Sequence, residues 1–243
     1  MLLIKRFVIP FDKLRATHNC NKMFEKIKKQ CDNLVQQFDS ISTERKELLK
    51  IVSKYIQTKK ENKLPVNMVY ICTHNSRRSH FGQVWSAVAA CYYNISDVMT
   101  YSGGTEATAF SPNAINALKT AGFGINSDST DFNPTYIVRF GENEATTCFS
   151  KVYDQGANPQ SNFAAIMTCS DAEENCPFIS GAEMRIGTTY EDPKAFDGTP
   201  QQDEKYLERS NQIALECLYV FSLIPFDKLR ATHNSLRQAQ GNV

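Results

Sequence analysis

Apolar positions in residues 21–62 recur at steps of three and four residues, the spacing of one face of an α-helix. Between two such stripes, Ser42 and Thr43 precede Glu44 in an order typical of a helix N-terminus. The pattern predicts two amphipathic helices that pack against the rest of the protein. A membrane-binding or partner-binding helix is the alternative. The stripes comprise Phe24, Ile27, Cys31, Leu34, Val35 and Phe38, then Leu48, Leu49, Val52, Tyr55 and Ile56.

Short apolar runs alternate with helical patterns over residues 63–222. This alternation implies βαβ units, with helices on both faces of a parallel sheet. The predicted fold class is therefore α/β: a three-layer sandwich around a four-stranded parallel sheet flanked by helices, with residues 21–62 as an N-terminal helical extension. Residues 139–162, rich in Gly, Asn, Thr and Gln, are predicted to be an irregular insertion that forms a lid or surface excursion. Strands are predicted at 66–71, 98–102, 163–168 and 184–188, and helices at 78–94, 112–121 and 203–221.

The two ends of the chain carry the same eleven residues, IPFDKLRATHN, at 9–19 and 224–234. Structural repeats diverge and recur at about 20–50 residues, so an undiverged copy at the opposite end is of another kind. We therefore expect residues 1–20 and 223–243 to be extraneous segments, read from a repetitive DNA element or added by a gene-model error. The alternative is a pair of matching terminal segments that pack together.

The composition is that of an ordinary globular protein, with 42% hydrophobic and 22% charged residues in a chain of 243. Lys and Arg number 27 against 26 Asp and Glu, so the net charge of +1 does not favour nucleic-acid binding through bulk charge. No apolar run approaches the roughly 20 residues that span a bilayer, and the N-terminus lacks a signal-peptide cleavage pattern. We therefore expect a cytoplasmic protein with no nucleic-acid partner and no membrane partner.

The strongest chemical motif is CTHNSRRS at residues 72–79, which follows the first predicted strand and opens a helix. At such a junction several backbone N–H groups and the positive end of the helix dipole point at one spot, which suits a tetrahedral oxyanion. These donors favour the thiolate form of Cys72, and Ser79 can donate to it. Arg78 can bind two oxygens of the anion with its planar guanidinium. The motif predicts a nucleophilic Cys72; a buried, inert cysteine is the alternative.

A second motif, CSDAEENCP at residues 169–177, follows the predicted strand at 163–168. Its two cysteines, Cys169 and Cys176, are separated by six residues, so a mobile loop would let the thiols meet. Because both motifs follow strands of a parallel sheet, they lie at the same sheet edge. A redox-active pair is predicted; two buried thiols, or half of a zinc site without a matching second pair, are the alternatives.

The segment at 72–79 resembles the CTGNSCRS-like loop of the low-molecular-weight protein tyrosine phosphatase superfamily. The second motif is similar to the segment that holds two further redox cysteines in the thioredoxin-coupled arsenate reductases of that superfamily. The resemblance covers about residues 65–221, interrupted at 139–162. His74 replaces a glycine of the family loop, and Arg77 replaces a small residue or cysteine. The resemblance implies an oxyanion-binding loop made of Thr73, His74, Asn75, Ser76, Arg77, Arg78 and Ser79.

The resemblance also implies roles outside this loop. Tyr190-Glu191-Asp192-Pro193 resembles the Asp-Pro loop of the family, which makes Asp192 the general acid and Glu191 the fallback, although Asp-Pro alone is typical of a turn. Ser102, after the second strand, is expected to support the anion loop together with Asn75. Gln83 stands where some arsenate reductases have an acidic potassium ligand, so no metal ion and no other cofactor is expected.

The function implied by the resemblance is reduction of arsenate to arsenite. Cys72 attacks arsenic, Cys169 attacks Cys72, and Cys176 takes over the disulfide, which a thioredoxin-like partner then reduces. One alternative is a phosphatase that uses Cys72, Arg78 and Asp192 on phosphate esters. Another is an oxyanion-binding or redox-sensing module without turnover.

Overall fold

The structure, a computed structural model, describes residues 23–176 and 178–225. Nearly all of the repeated terminal sequence lies outside these residues, so the expectation that it is extraneous stays a prediction. The helices are α1 (Glu25–Val35), α2 (Thr43–Glu61), α3 (Arg78–Tyr92), α4 (Pro112–Ala121), α5 (Ser170–Asn175) and α6 (Gln202–Ser222). The strands are β1 (Val66–Cys72), β2 (Val98–Gly104), β3 (Gly124–Ser127), β4 (Tyr136–Arg139), β5 (Ala145–Cys148), β6 (Phe163–Met167) and β7 (Ala182–Gly187).

The main sheet has four parallel strands in the order β2-β1-β6-β7. Its central strand β1 is buried along its whole length, as expected of a strand covered on both faces. Since all four strands run in the same direction, their carboxyl ends meet at one edge, and the loops that follow them form one surface. The predicted α/β fold with a four-stranded parallel sheet is confirmed, and the seven predicted elements end within two residues of their observed bounds.

Alternate residues of β1 face two apolar clusters. Met68 and Tyr70 face the larger cluster, where α2, α3 and α6 cover the sheet and Trp85 is fully buried. Val69 and Ile71 face a smaller cluster under α5 and the segment after β5. The helical extension joins the larger core, because Ile27 and Cys31 of α1 are buried there.

The prediction of an irregular insertion at 139–162 is wrong in part, because β5 and the last residue of β4 lie within it and belong to a second sheet. Strands β3, β4 and β5 form an antiparallel sheet, in which Tyr136 pairs with Cys148 and Ile125 with Val138. Each strand has only four residues, too short for alternation to stand out, and pairing with sequence neighbours stabilises them instead. Only the part after β5 is irregular, and it lies beneath the anion loop, as described below.

A buried ion pair ties the helical extension to α6. Arg45 of α2 places Nε 3.0 Å from each carboxylate oxygen of Glu216 and Nη2 2.8 Å from Oε2. Tyr190 donates its hydroxyl to the same carboxylate at 2.7 Å, and Glu216 is only 4% exposed. The carboxylate is thus fully partnered, which a charge at this depth requires.

Replacing Arg45 by Met should destabilise the fold strongly, because Glu216 would remain as a buried charge without a cation. The expected loss in the free energy of unfolding is about 3–5 kcal/mol, measured by urea denaturation. The double variant Arg45→Met/Glu216→Gln should recover most of it. Lys28→Met, which breaks only the exposed pair with Asp32, serves as the control and should leave the urea midpoint nearly unchanged. Equal midpoints for Arg45→Met and Lys28→Met would refute the structural role of the pair.

Candidate active site

The anion loop begins at Cys72, the last residue of β1, and ends where α3 begins at Arg78. The sulfur of Cys72 lies 3.1 Å from the hydroxyl oxygen of Ser79. That oxygen accepts a hydrogen bond from Nδ2 of Asn75 at 2.9 Å, so the hydroxyl hydrogen is available to the sulfur. The predicted contact between Ser79 and Cys72 is therefore present, and Asn75 orients it.

Asn75 fixes the shape of the loop. It is fully buried and has a positive φ of 44°, a conformation that asparagine tolerates better than most residues. Its Oδ1 accepts the backbone N–H of Lys151 at 2.9 Å. Gly104, at the end of β2, packs directly under the loop: a Cβ there would lie 2.6 Å from the carbonyl oxygen of Thr73 and 2.7 Å from the nitrogen of Asn75.

The protein engages the carbonyl oxygens of this loop from outside. The Thr73 carbonyl accepts the N–H of Glu106, and the His74 carbonyl accepts the hydroxyls of Thr108 at 2.9 Å and Ser150 at 3.1 Å. Within residues 23–176 and 178–225, by contrast, the backbone N–H groups of 73–77 have no acceptor. Such a run of unpaired N–H groups at a helix N-terminus forms a cradle for an anion.

Asp192 lies beside this cradle, held by two arginines. Arg77 places Nε 2.8 Å from Oδ1 and Nη2 3.1 Å from Oδ2, and Arg78 places Nη2 2.7 Å from Oδ2. Arg78 also donates to the Tyr190 carbonyl at 2.8 Å, while its buried Nε has no partner among the described residues. Burial alone would raise the pKa of Asp192, but the two guanidinium groups and the Lys194 N–H hold it below its ordinary value.

The second cysteine lies against the anion loop. Cys169 follows β6 and caps the N-terminus of α5, where its sulfur accepts the N–H of Ala172 at 3.4 Å. The same sulfur is 3.4 Å from Oγ1 of Thr73, and it shares the smaller apolar cluster with Cys72. Cys176 follows α5 and packs partly buried against that cluster. The structure thus brings all three cysteines to one region, with α5 between the last two.

The side chains of two expected site residues, Ser102 and His74, make contacts outside the cradle. The Ser102 hydroxyl donates to Oε1 of Gln83 at 2.7 Å and lies 3.1 Å from Nδ1 of His80, so it supports the first turns of α3 and not the loop itself. The His74 ring is 42% exposed at the rim, with Nε2 3.9 Å from Glu106. The described residues contain no group of three or more His, Cys, Asp or Glu placed to hold a metal ion.

Several supporting residues were missed by the sequence analysis. Gly104, Thr108, Ser150 and Lys151 all contact the loop. The Gly103-Gly104 pair was a visible signal, since glycine often marks a close backbone approach. The other three belong to segments without a motif, and only the fold brings them to the site.

Comparison with known proteins finds arsenate reductases among the relatives of this chain. No protein-family model matches the chain. The arsenate reductase of Bacillus subtilis strain 168 is 25% identical over 149 residues, which is 61% of this chain and 87% of that protein. The arsenate reductase of Staphylococcus aureus strain Newman is 26% identical over 148 residues, 60% of this chain and 91% of that protein.

The chain is similar to these arsenate reductases over about three fifths of its length. It is an enzyme of the arsenate reductase or phosphatase kind. Similar solved structures include an arsenate reductase in the phosphate-binding state, with 16% identity, a TM-score of 0.45, and coverage of 66% of this chain and 99% of that chain. A low-molecular-weight protein tyrosine phosphatase from T. tengcongensis has 14% identity, a TM-score of 0.43, and coverage of 65% and 98%.

The loop has the cysteine and arginine of the family pattern that it resembles but departs from that pattern at His74 and Arg77. The His74 side chain points to the rim, so the cradle itself is not filled by it. The Arg77 side chain instead forms an ion pair with Asp192 of the Asp-Pro loop. In the part of the chain that the structure describes, no helix is long and apolar enough to cross a bilayer.

Replacing Gly104 by Ala should weaken anion binding, because the added methyl would displace Thr73 and Asn75. Overpacking of this kind costs about 1–3 kcal/mol, so the Kd for inorganic phosphate should rise by about five- to a hundredfold, measured by titration calorimetry. Gly156→Ala is the matched control, since a Cβ at Gly156 has no heavy atom within 4 Å. Unchanged phosphate affinity in Gly104→Ala would show that the anion binds elsewhere.

Proposed function

We propose that this protein reduces arsenate to arsenite through Cys72, Cys169 and Cys176, with a thioredoxin-like dithiol as the final reductant. The observation that carries the proposal is the position of Cys169, whose sulfur lies 3.4 Å from the side chain of the first loop residue after Cys72. Hydrolysis of a phosphate ester needs no second thiol there. The arsenate reductases among the relatives support the same choice.

In the first step the anion loop binds arsenate as its monoanion. The thiolate of Cys72 attacks arsenic, a sulfur–arsenic bond forms, and one arsenic–oxygen bond breaks with loss of water. Backbone N–H groups of 73–77 and the Arg78 guanidinium stabilise the negative charge on the remaining oxygens. Ser79 holds the sulfur by its hydrogen bond before the attack. The leaving hydroxyl takes the proton of the second arsenate hydroxyl, because Arg77 and Arg78 hold Asp192, the residue predicted from the sequence as general acid, in its ionised form.

In the second step the thiolate of Cys169 attacks the sulfur of Cys72. A disulfide forms between them, the electron pair of the sulfur–arsenic bond passes to arsenic, and arsenite leaves in the +3 state. Cys176 then attacks Cys169, so that Cys72 is released as a thiolate and the disulfide joins Cys169 to Cys176. A dithiol of the thioredoxin kind reduces this disulfide by exchange.

The third step requires α5 to open, because its six residues separate the two thiols. The helix is held by Arg185 of β7, whose Nε donates to the Cys176 carbonyl at 2.8 Å and whose Nη1 lies 3.0 Å from Oε1 of Glu173. These contacts fasten the C-terminal end of α5 to the sheet. Transfer of the disulfide must break them.

Cys169→Ala tests the proposal directly. Arsenate-dependent oxidation of a reduced thioredoxin should be lost, because no thiol remains to displace arsenic, while hydrolysis of an aryl phosphate by Cys72 should persist. Cys31→Ala removes another buried thiol, on α1, and should retain both activities. Arsenate turnover that survives in Cys169→Ala would refute the proposal. A parent protein that only cleaves phosphate esters would be a phosphatase, and one that does neither would be a binding or sensing module.

Arg185→Met should accelerate formation of the Cys169–Cys176 disulfide, because it removes the contacts that keep α5 folded. A loss of about 1 kcal/mol in those contacts corresponds to about a fivefold faster reaction. The rate can be followed with oxidised dithiothreitol, thiol alkylation and mass spectrometry. Arg139→Met, an exposed arginine of β4, is the control and should react as the parent does. A slower or unchanged rate in Arg185→Met would argue against opening of α5.

A further inference from the structure

Arg77, the residue that departs from the family loop, makes the more complete contact with Asp192. Arg77 engages both carboxylate oxygens, at 2.8 and 3.1 Å, whereas Arg78 engages only Oδ2, at 2.7 Å. The backbone N–H of Lys194 adds a hydrogen bond to Oδ1 at 3.0 Å. All of these donors favour the ionised carboxylate.

The two arginines would make different contacts once an anion is bound. The buried Nε of Arg78 has no partner within residues 23–176 and 178–225, and Arg78 is the arginine of the C-x5-R pattern, so it is the one that turns to an oxyanion. When Arg78 is engaged there, the fork of Arg77 still holds Asp192. Both arginine side chains are 11% exposed, and Asp192 is 28% exposed, so water weakens these contacts only in part.

The protonation of Asp192 decides which leaving groups the site can expel. Arsenate as a monoanion carries two hydroxyl groups, so one can leave as water after taking the proton of the other. The bridging oxygen of a phosphate monoester carries no proton and needs one from an acid unless it leaves as a weakly basic anion. A carboxylate fixed in its charged form gives no such proton.

We propose that Arg77 is a specificity-determining positioning residue, which holds Asp192 as a carboxylate and so disfavours phosphate monoesters with strongly basic leaving groups. The inference rests on the proposed function in that Cys72 is the nucleophile. In ester cleavage a sulfur–phosphorus bond forms, the phosphorus–oxygen bond breaks, and water later hydrolyses the cysteinyl phosphate. The departing phenolate takes its proton from solvent in the parent, and from Asp192 once Arg77 is removed.

Among the described residues, the groups that act most strongly on the Asp192 carboxyl are Arg77, Arg78 and the Lys194 N–H. The Cys72 thiol and Tyr206 interact with Arg77 instead. The Tyr206 hydroxyl donates to Asp197 at 2.8 Å and leaves Asp192 to the arginines. Removing Arg77 therefore removes one of the two ion pairs that Asp192 makes with arginine.

Arg77→Met tests the inference with phenyl phosphate and p-nitrophenyl phosphate. The parent should cleave the nitrophenyl ester much faster than the phenyl ester, since it lacks an acid for the more basic phenolate. Arg77→Met should gain at least about tenfold in kcat on phenyl phosphate at pH 6 and change little on the nitrophenyl ester. Arg77→Met/Asp192→Asn should lose this gain. A gain that survives Asp192→Asn, or no gain at all, would overturn the inference.

A titration without substrate gives an independent readout. The 13C carboxyl signal of Asp192, assigned by its absence in Asp192→Asn, should titrate at higher pH in Arg77→Met and in Arg77→Gln than in the parent, because the carboxylate loses the Arg77 guanidinium. Arg139→Met should titrate as the parent does. An unshifted midpoint in both Arg77 variants would overturn the inference. Neither measurement uses arsenate or Cys169. If the gain in kcat and the higher titration midpoint are both seen but arsenate is not reduced, only the reductase proposal is refuted.

Discussion

The site depends on one constraint: the backbone of residues 73–77 must turn its carbonyl oxygens into the protein and its N–H groups toward the anion. A buried N–H without an acceptor costs about 1–3 kcal/mol, so this arrangement does not persist by itself. It is stabilised by contacts behind the loop, from Asn75 to Lys151 and from Thr108 and Ser150 to the His74 carbonyl. A tetrahedral oxyanion supplies the acceptors that the loop lacks.

The parallel sheet explains why the other chemical groups meet at this loop. Three chemical groups lie at or after the ends of different strands, and the carboxyl ends of these strands share one edge of the sheet. Cys72 ends β1, Cys169 follows β6, and Asp192 follows β7. The helical extension reaches the same edge indirectly. Arg45 binds Glu216, Glu216 accepts the hydroxyl of Tyr190, and the Tyr190 carbonyl holds Arg78. Removing the extension would therefore disturb the guanidinium that binds the anion, as well as the core.

The sequence predicted what local pattern and topology determine. The apolar periodicity predicted the positions of the helices. The C-x5-R pattern between a strand and a helix predicted the position of the anion loop. The strands β3 to β5 were missed because four residues carry too little alternation. Lys151 and Gly104 were missed because their roles arise from a close approach between segments far apart in sequence. Arg77 and Asp192 were each singled out, but 115 positions separate them and no pattern joins them.

The paired arginines solve an electrostatic problem that a single arginine would leave open. In the proposed reaction the anion enters beside the attacking thiolate of Cys72 and the carboxylate of Asp192, and both repel it. With only Arg78 present, the same guanidinium would have to neutralise Asp192 and bind the substrate, so each contact would weaken the other. Arg77 keeps Asp192 neutralised in an ion pair of two hydrogen bonds, at 2.8 and 3.1 Å, which leaves Arg78 and the loop N–H groups for the anion. Because Arg77 keeps Asp192 ionised, Asp192 has no proton to donate to the leaving group. Tight oxyanion binding and ester hydrolysis therefore oppose each other in this site.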